Sequence, residues 1–115
     1  MSRRVRNGMT AARRAHVPVF AALADETRLS LVARLGDGQP RSIAHLTRGS
    51  RLTRQAITKH LRVLEKAAIV HSVRAGRESL FELDPAPIDE IRKYLDLVSA
   101  QWDQALARLK SFAER

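Results

Sequence analysis

Residues 53–66 read TRQAITKHLRVLEK, and this segment carries the strongest signal for the fold of the chain. Thr53 is a residue type that commonly caps helix N-termini. Ile57, Leu61 and Leu64 follow at the spacing of one helix face and predict a buried stripe. The opposite face carries three cations, an amide and no acid: Gln55, Lys59, Arg62 and Lys66. The segment therefore predicts an amphipathic helix with a cationic outer face.

Three further helices are predicted before this one. An apolar stretch starting near Val17 has Pro18 in its first turn, where proline is tolerated. Asp25 then caps a helix whose apolar stripe is predicted from spacing, and Ser42 caps a short helix that ends near Gly49. The predicted stripe of the middle helix is Leu29, Val32, Ala33 and Leu35. Only residues 50–52 separate the short helix from Thr53, which is the spacing of a helix-turn-helix.

The pattern after residue 66 changes to strands and then to one long helix. Residues 69–74 and 79–83 are β-rich and flank a turn at 75–78, which predicts a hairpin. Residues 84–87 (DPAP) are expected to break the chain before a helix from about Ile88 to about Phe112. The fold class is therefore mainly α with a small β-hairpin: a winged helix-turn-helix with a three-helix core, a wing and a long C-terminal dimerisation helix. Residues 16–115 are expected to form this domain, and residues 1–15 a flexible basic arm.

Charge favours a nucleic-acid partner. The chain has 115 residues and a net charge of +9, and residues 41–80 hold nine basic residues against two acidic ones. It has no cysteine, which excludes disulfides and thiolate metal sites. No apolar run reaches the length of roughly 20 residues that a membrane span needs, so no membrane partner is expected.

The expected partner is double-stranded DNA. Gln55, Lys59 and Arg62 can read base edges in the major groove, and Arg54 lies at the helix end that enters the groove first. Thr53 and the helix N-terminus can hold a phosphate. The wing at 74–78 adds Arg74 and Arg77, which can contact the minor groove or clamp phosphates. His60 lies close to the core side, so it is expected to be packed and hydrogen-bonded.

The last helix predicts a dimer. Its apolar residues step by three and four over more than three heptads, which is the pattern of a coiled-coil seam. A small winged-helix core can cover this seam only in part, so a partner helix is expected. The seam is Ile88, Ile91, Leu95, Val98, Trp102, Ala105, Leu109 and Phe112, broadened by Leu97 and Leu106, with Val17, Phe20 and Leu23 as candidates to join it.

Four stretches resemble bacterial repressors of the ArsR type. Residues 20–29 (FAALADETRL) are similar to the family's opening motif, and residues 52–61 (LTRQAITKHL) to its recognition helix. Residues 64–70 (LEKAAIV) and the wing from Gly76 to Leu83 continue the likeness. The resemblance implies a homodimeric repressor that leaves its operator when an effector arrives. The DNA-reading positions that it implies are Thr53, Arg54, Gln55, Thr58, Lys59 and Arg77.

Three departures from the family pattern matter. Arg54 stands where these repressors commonly have glutamine, so a different operator sequence is expected. Ala68 stands where these repressors usually have glycine, and a left-handed cap there would cost about 1 kcal/mol. The cysteine and Asp/His motifs of the metal sensors are missing: the third helix has His45 without a thiol, and the last helix has no histidine. A metal effector is therefore disfavoured, and the effector stays unknown.

Other functions fit the sequence less well than that of a DNA-binding repressor. No catalytic residue, metal site or cofactor site is predicted, so the chain is not expected to be an enzyme. A dimerisation scaffold would leave the outward cations unexplained. A non-specific architectural winged helix that binds nucleic acid, and a metal-responsive repressor with a non-standard site, remain the alternatives. The expected location is the cytoplasm, on the nucleoid when the protein is bound.

Overall fold

The computed structural model of the protein describes the backbone of residues 3–114 and the side chains of residues 11–114. Residues 3–114 form five helices and three short strands. In order they are α1 (Arg3–Leu23), α2 (Glu26–Arg34), β1 (Arg41–Ser42), α3 (Ile43–Thr47), α4 (Arg54–Lys66), β2 (Val70–Ala75), β3 (Glu78–Leu83) and α5 (Pro85–Ala113). The predicted fold class, a winged helix-turn-helix with a long last helix, is confirmed.

The predicted helix caps are also confirmed. The side chain of Asp25 accepts a hydrogen bond from the backbone N–H of Arg28 at 3.0 Å. Ser42 accepts one from the N–H of His45 at 3.0 Å, and Thr53 accepts one from the N–H of Ala56 at 3.1 Å. These residue types start helices because their side chains satisfy backbone donors that the first helical turn leaves free.

Two helix starts differ from the prediction. α1 begins at Arg3, so Pro18 lies inside the helix and not in its first turn. Arginine and alanine are strong helix formers, which explains why the helix extends so far before the proline. Residues 84–87 do not break the chain before α5: Asp84 caps that helix, and Pro85 is its first residue, where a missing N–H costs nothing. The predicted basic arm, residues 1–15, falls partly outside the described residues, and its separation from the domain stays a prediction.

The sheet has one strand more than the predicted hairpin. β3 lies between β2 and β1, and both pairings are antiparallel. β1 contributes only Arg41 and Ser42, which pair with Phe81 and Leu80. Two residues are too few to show an alternating pattern, so the sequence carries no signal for this strand.

The core lies where α4 meets the other helices and the sheet. Its members are fully or almost fully buried: Val19, Ala22, Leu31, Leu35, Leu46, Ile57, Leu61, Leu64, Ile69, Val70, Phe81 and Ile91. The stripe predicted for α2 was wrong in part, because Leu31 is buried whereas Leu29 and Ala33 are exposed. Among the described residues, no helix has both the length and the apolar character that crossing a membrane requires.

Candidate nucleic-acid interface

The recognition helix α4 is anchored by its apolar face. Ile57, Leu61 and Leu64 are at most 1% exposed, as their spacing predicted. This fixes the rotation of the helix about its own axis, because rotating it would bring an apolar side chain into water. Gln55, Lys59 and Arg62 consequently face solvent.

His60 locks the same helix to the N-terminus of α2. Its ring nitrogen Nδ1 lies 3.3 Å from a guanidinium nitrogen of Arg28 and 3.7 Å from a carboxylate oxygen of Asp25. Arg28 also donates to the backbone carbonyl of Ala22, at 2.5 Å. The backbone hydrogen bond from Arg28 is the main cause that lowers the pKa of Asp25, so this carboxylate is charged at neutral pH. The prediction that His60 is packed and hydrogen-bonded is confirmed.

The N-terminal half of α4 presents free polar groups. Arg54, Gln55 and Lys59 are exposed, and their side chains make no hydrogen bond or ion pair with another described residue. The Thr58 hydroxyl donates to the carbonyl of Arg54 at 2.7 Å and keeps only acceptor capacity for a ligand. Thr53 is exposed and uses its hydroxyl oxygen as the cap. This end of the helix can therefore meet a ligand without first breaking a side-chain contact at its cations.

Arg62 has partners that the sequence did not reveal. Its guanidinium donates to a carboxylate oxygen of Glu65 at 2.8 Å and lies 5.9 Å from the centre of the Phe81 ring. The outward face of α4 was expected to contain no acid. Glu65 sits at the flank of that face, one helical turn from Arg62, and its side chain is long enough to reach the guanidinium.

The wing carries its two arginines as predicted. β2 and β3 are joined by Gly76 and Arg77, and only Gly76 has a positive φ, at 62°. A two-residue loop with glycine first is a type II′ turn, whose twist matches the strands. Arg74 lies on the same face of β2 as Ser72, since alternate residues share a face. Ser72 donates to Glu65 on α4 at 2.8 Å, so this face of the wing is turned toward the recognition helix.

The connection between α3 and α4 adds two exposed cations that were not among the predicted site residues. Arg48 and Arg51 line an open recess of about 600 Å³ together with Ser30 and Arg34. Arg34 donates to the carbonyls of Leu46 and His45, at 2.6 and 3.0 Å, and so holds the end of α3. Two arginines in the short connection that leads to the cap of a basic helix were the available signal.

The comparisons agree with this architecture. A family model described as a helix-turn-helix domain matches residues 23–73. The HTH-type transcriptional regulator Rv2034 of Mycobacterium tuberculosis is 38% identical over 87 residues, which cover 76% of this chain and 78% of that protein. The HTH-type transcriptional regulator YuzN of Bacillus subtilis is 33% identical over 81 residues, 65% of this chain and 88% of that protein.

A solved structure extends the match over almost the whole chain. The ArsR-like transcriptional regulator from Rhodococcus sp. RHA1 superimposes with a TM-score of 0.78 at 35% identity, covering 90% of this chain and 96% of that one. The chain belongs to the ArsR-like family of winged helix-turn-helix transcriptional regulators. The resemblance noted in its sequence motifs is thereby confirmed.

The last helix of this ArsR-like regulator leaves much of its predicted seam uncovered. Ile91 is buried and Ile88 is half-buried against the core, but Trp102 is 65% exposed and Leu109 is 64% exposed. Leu95, Leu106 and Phe112 are also exposed, and Val98 is half-buried. The seam therefore has an inner end that packs against the core of the chain and an outer end that faces water.

The three predicted α1 contributors to that seam behave differently. Leu23 is half-buried and packs against the core. Val17 is exposed. Phe20 is half-buried, packs against the core and has its ring 6.4 Å from that of Tyr94 on α5. Within one subunit, Phe20 thus already has neighbours, whereas Val17 is open to solvent.

No metal centre is evident in this ArsR-like regulator over the part of the chain whose side chains are described. No group of three or more histidine, aspartate or glutamate residues there could hold a metal ion. His71 is instead paired across the hairpin with Glu82, at 2.6 Å.

Proposed function

We propose that this chain is a dimeric repressor that binds a palindromic operator in double-stranded DNA. The recognition helix 53–66 would lie in the major groove, and the wing 74–78 would contact the flanking backbone or minor groove. The observation that carries the proposal is the division of α4 into a fully buried apolar face and an exposed polar one. The Arg54, Gln55 and Lys59 side chains are available on that polar face.

Each contact has a chemical role. Arg54, Gln55 and Lys59 read purine edges, because arginine and lysine match guanine and glutamine matches adenine. Thr53 and the N-terminus of α4 contact phosphate, and the Thr58 hydroxyl oxygen can accept a hydrogen bond from a base amino group. The wing adds Arg74 and Arg77, whose long side chains reach beyond the strand pair. The proposed DNA-binding set is Thr53, Arg54, Gln55, Thr58, Lys59, Arg62, Arg74 and Arg77.

The uncovered seam of α5 supports a homodimer. A compact chain of this length would have a radius of gyration of about 13 Å, whereas this subunit has 19.0 Å and extends over 67 Å. A large apolar stripe that is exposed in a single chain marks an interaction surface, because a second apolar surface can remove it from water. The proposed interface is Val17, Phe20, Leu95, Val98, Trp102, Leu106 and Leu109.

Two such subunits would present two recognition helices to one DNA duplex. Palindromic half-sites then mirror the twofold axis of the protein. The proposal assigns no catalytic residue and no cofactor, and it places the protein in the cytoplasm, on the nucleoid when bound. The transcriptional regulators among the relatives support this reading over an enzyme.

The test is selection of bound sequences from a random duplex library, followed by binding to the recovered site. The wild type should recover a palindrome with half-sites roughly 10 bp apart. It should prefer that site about 10³-fold or more over random duplex. Arg54→Ala combined with Gln55→Ala should abolish the preference and leave the helix content unchanged.

A matched control removes the same residue types from α5. Gln104 and Arg108 are exposed and lie off the apolar seam, so Gln104→Ala with Arg108→Ala should keep the full preference. Equal affinity for all duplexes in the wild type would instead favour the non-specific architectural protein. An unchanged footprint after the Arg54/Gln55 substitution would contradict the assignment of the recognition helix.

A further inference from the structure

Glu65 is an unusual residue for its position. It lies on the recognition helix between Arg62 and Lys66, in a segment where residues 41–80 contain nine basic residues and only one other acid, Glu78. A carboxylate beside a DNA phosphate is repulsive and weakens binding. Its contacts therefore call for an explanation beyond solubility.

The two oxygens of Glu65 bind two different parts of the interface. Oε1 accepts a hydrogen bond from Arg62 at 2.8 Å, and Oε2 accepts one from the Ser72 hydroxyl on β2, also at 2.8 Å. These bonds, that from Arg62 first, lower the pKa of Glu65, so the carboxylate is charged at neutral pH. One side chain thus connects the recognition helix with the wing.

The contact with Glu65 also determines where Arg62 points. The guanidinium is drawn toward the sheet, 5.9 Å from the centre of the Phe81 ring, and Phe81 is only 1% exposed. The Arg62 side chain is nevertheless 61% exposed. It has the reach to contact a phosphate, yet its charge is already paired.

We propose that Glu65 sets how strongly the interface binds DNA of arbitrary sequence. Its carboxylate holds Arg62 against the sheet, which withholds one cation from the phosphates, and ties the wing to the recognition helix. The inference rests on the proposed DNA binding and adds a positioning residue to it. On the operator, Arg62 leaves Glu65 for a base edge, in keeping with its place in the proposed DNA-binding set, whereas on arbitrary sequence it stays paired. The loss of affinity therefore falls on arbitrary sequence, and the ratio between operator and random affinity rises.

The salt dependence of binding tests the withheld cation. Each phosphate contact contributes about 0.9 to the slope of log K against log salt concentration. Glu65→Gln keeps the size of the side chain and an oxygen for Ser72 but removes the charge. On a random-sequence duplex, its slope should be steeper than that of the wild type by about 0.9.

Arg62→Ala identifies the cation responsible. In the wild-type background it should change the slope little, because Arg62 is held by Glu65. In the Glu65→Gln background it should remove the added slope of about 0.9. Glu78→Gln is the matched control, since it makes the same charge change beside the wing tip. In that background, Arg62→Ala should again have little effect.

Ser72→Ala tests the tie to the wing without DNA. Removing the hydroxyl should speed amide hydrogen exchange at the β2–β3 tip several-fold in the free protein. Ser79→Ala is the control, because Ser79 is exposed on the partner strand and its side chain bonds to no other described residue. Equal exchange in both variants would overturn the tie.

Two outcomes would contradict the proposal that Glu65 withholds Arg62 from the phosphates. One is that Arg62→Ala changes the salt slope equally in the Glu65→Gln and Glu78→Gln backgrounds. The other is that Arg62→Ala alone already lowers the slope by about 0.9. Both outcomes are measured with variants while the wild type still binds DNA. Failure of the proposed function would be seen in the wild type itself, as an absence of binding to any duplex.

Discussion

α4 and α5 are both amphipathic, but the chain buries the apolar face of α4 far more completely than that of α5. The stripe of Ile57, Leu61 and Leu64 on α4 is covered completely, and what remains outside, apart from the 41% exposed Val63, is mainly polar and charged side chains that water solvates well. The apolar face of α5 is covered near Ile91 and open from Leu95 onward. An exposed cation is stable without a partner, whereas an exposed row of large apolar side chains is not. The comparison supports the proposal that α4 binds DNA through its polar face and that α5 pairs with a second copy of the chain through its apolar face.

The largest effect is expected from emptying the covered face of α4. Leu61 is fully buried, so Leu61→Ala should lower the free energy of unfolding by about 3 to 4 kcal/mol, through lost burial and the cavity left behind. Urea denaturation measures this. Leu29→Ala removes the same atoms from an exposed leucine on α2 and should cost less than about 1 kcal/mol. Similar losses for the two variants would contradict the assignment of the core.

The next effect concerns the open face of α5. Trp102→Ala removes a large ring from the proposed interface and should weaken dimerisation by about 3 kcal/mol, more than a hundredfold in the dissociation constant. Sedimentation equilibrium over a concentration series measures it. Gln104→Ala, exposed on the other side of the helix, should leave the constant unchanged. A wild type that is monomeric at micromolar concentration would contradict the proposal that α5 forms a dimer interface.

The end of α4 gives a smaller effect with the opposite sign. Ala68 has a φ of 61°, and the N–H groups of Ala68 and Ile69 bond the carbonyls of Glu65 and Leu64, at 2.9 and 3.0 Å. This is a Schellman cap, in which glycine avoids the steric cost of the left-handed conformation. Ala68→Gly should therefore raise the free energy of unfolding by about 1 kcal/mol.

The neighbouring alanine is a control for that substitution. Ala67 has a φ of −88°, so Ala67→Gly relieves nothing and should destabilise by up to about 1 kcal/mol. Thermal denaturation of the two variants should give shifts of opposite sign. Two shifts of the same sign would show that the left-handed alanine is not strained.

The smallest effect is the pH dependence that Glu65 contributes. Hydrogen bonds from Arg62 and Ser72 lower its folded-state pKa below the ordinary 4.5. A lowered folded-state pKa gives stability that is present above the unfolded pKa and is lost as the pH falls through the folded one. At pH 7, the free energy of unfolding of the wild type should exceed that of Glu65→Gln by less than about 1 kcal/mol. Urea titrations at lower pH should show this difference shrinking; a difference that grows would contradict the assigned sign.

Most of the fold could be predicted because its signals are local. Asp25, Ser42 and Thr53 start helices through bonds to residues three positions away. The spacing of Ile57 and Leu61 is a property of the helix itself. Errors arose where the signal was ambiguous: Pro18 fits a first turn as well as a helix interior, and residues 84–87 fit a break as well as a capped helix start.

The candidate interface could be predicted as a set of residues but not as a network. The sequence placed Arg62 on the outer face correctly, yet it showed neither the Glu65 carboxylate that pairs with it nor the Phe81 ring beneath it. Ser72 is seven residues from Glu65, and Phe81 is nineteen residues from Arg62. Contacts at these separations depend on how the hairpin packs against α4.

The sequence by itself determined the order of helices and strands, the cationic face of residues 53–66 and the family, because periodicity, capping and motifs are written in neighbouring residues. Only the tertiary structure decided which leucine of α2 is buried, that β1 joins the sheet, and that Glu65 links the recognition helix to the wing. Those outcomes depend on surfaces brought together from distant parts of the chain, where shape and charge complementarity select one packing among several that the local pattern allows.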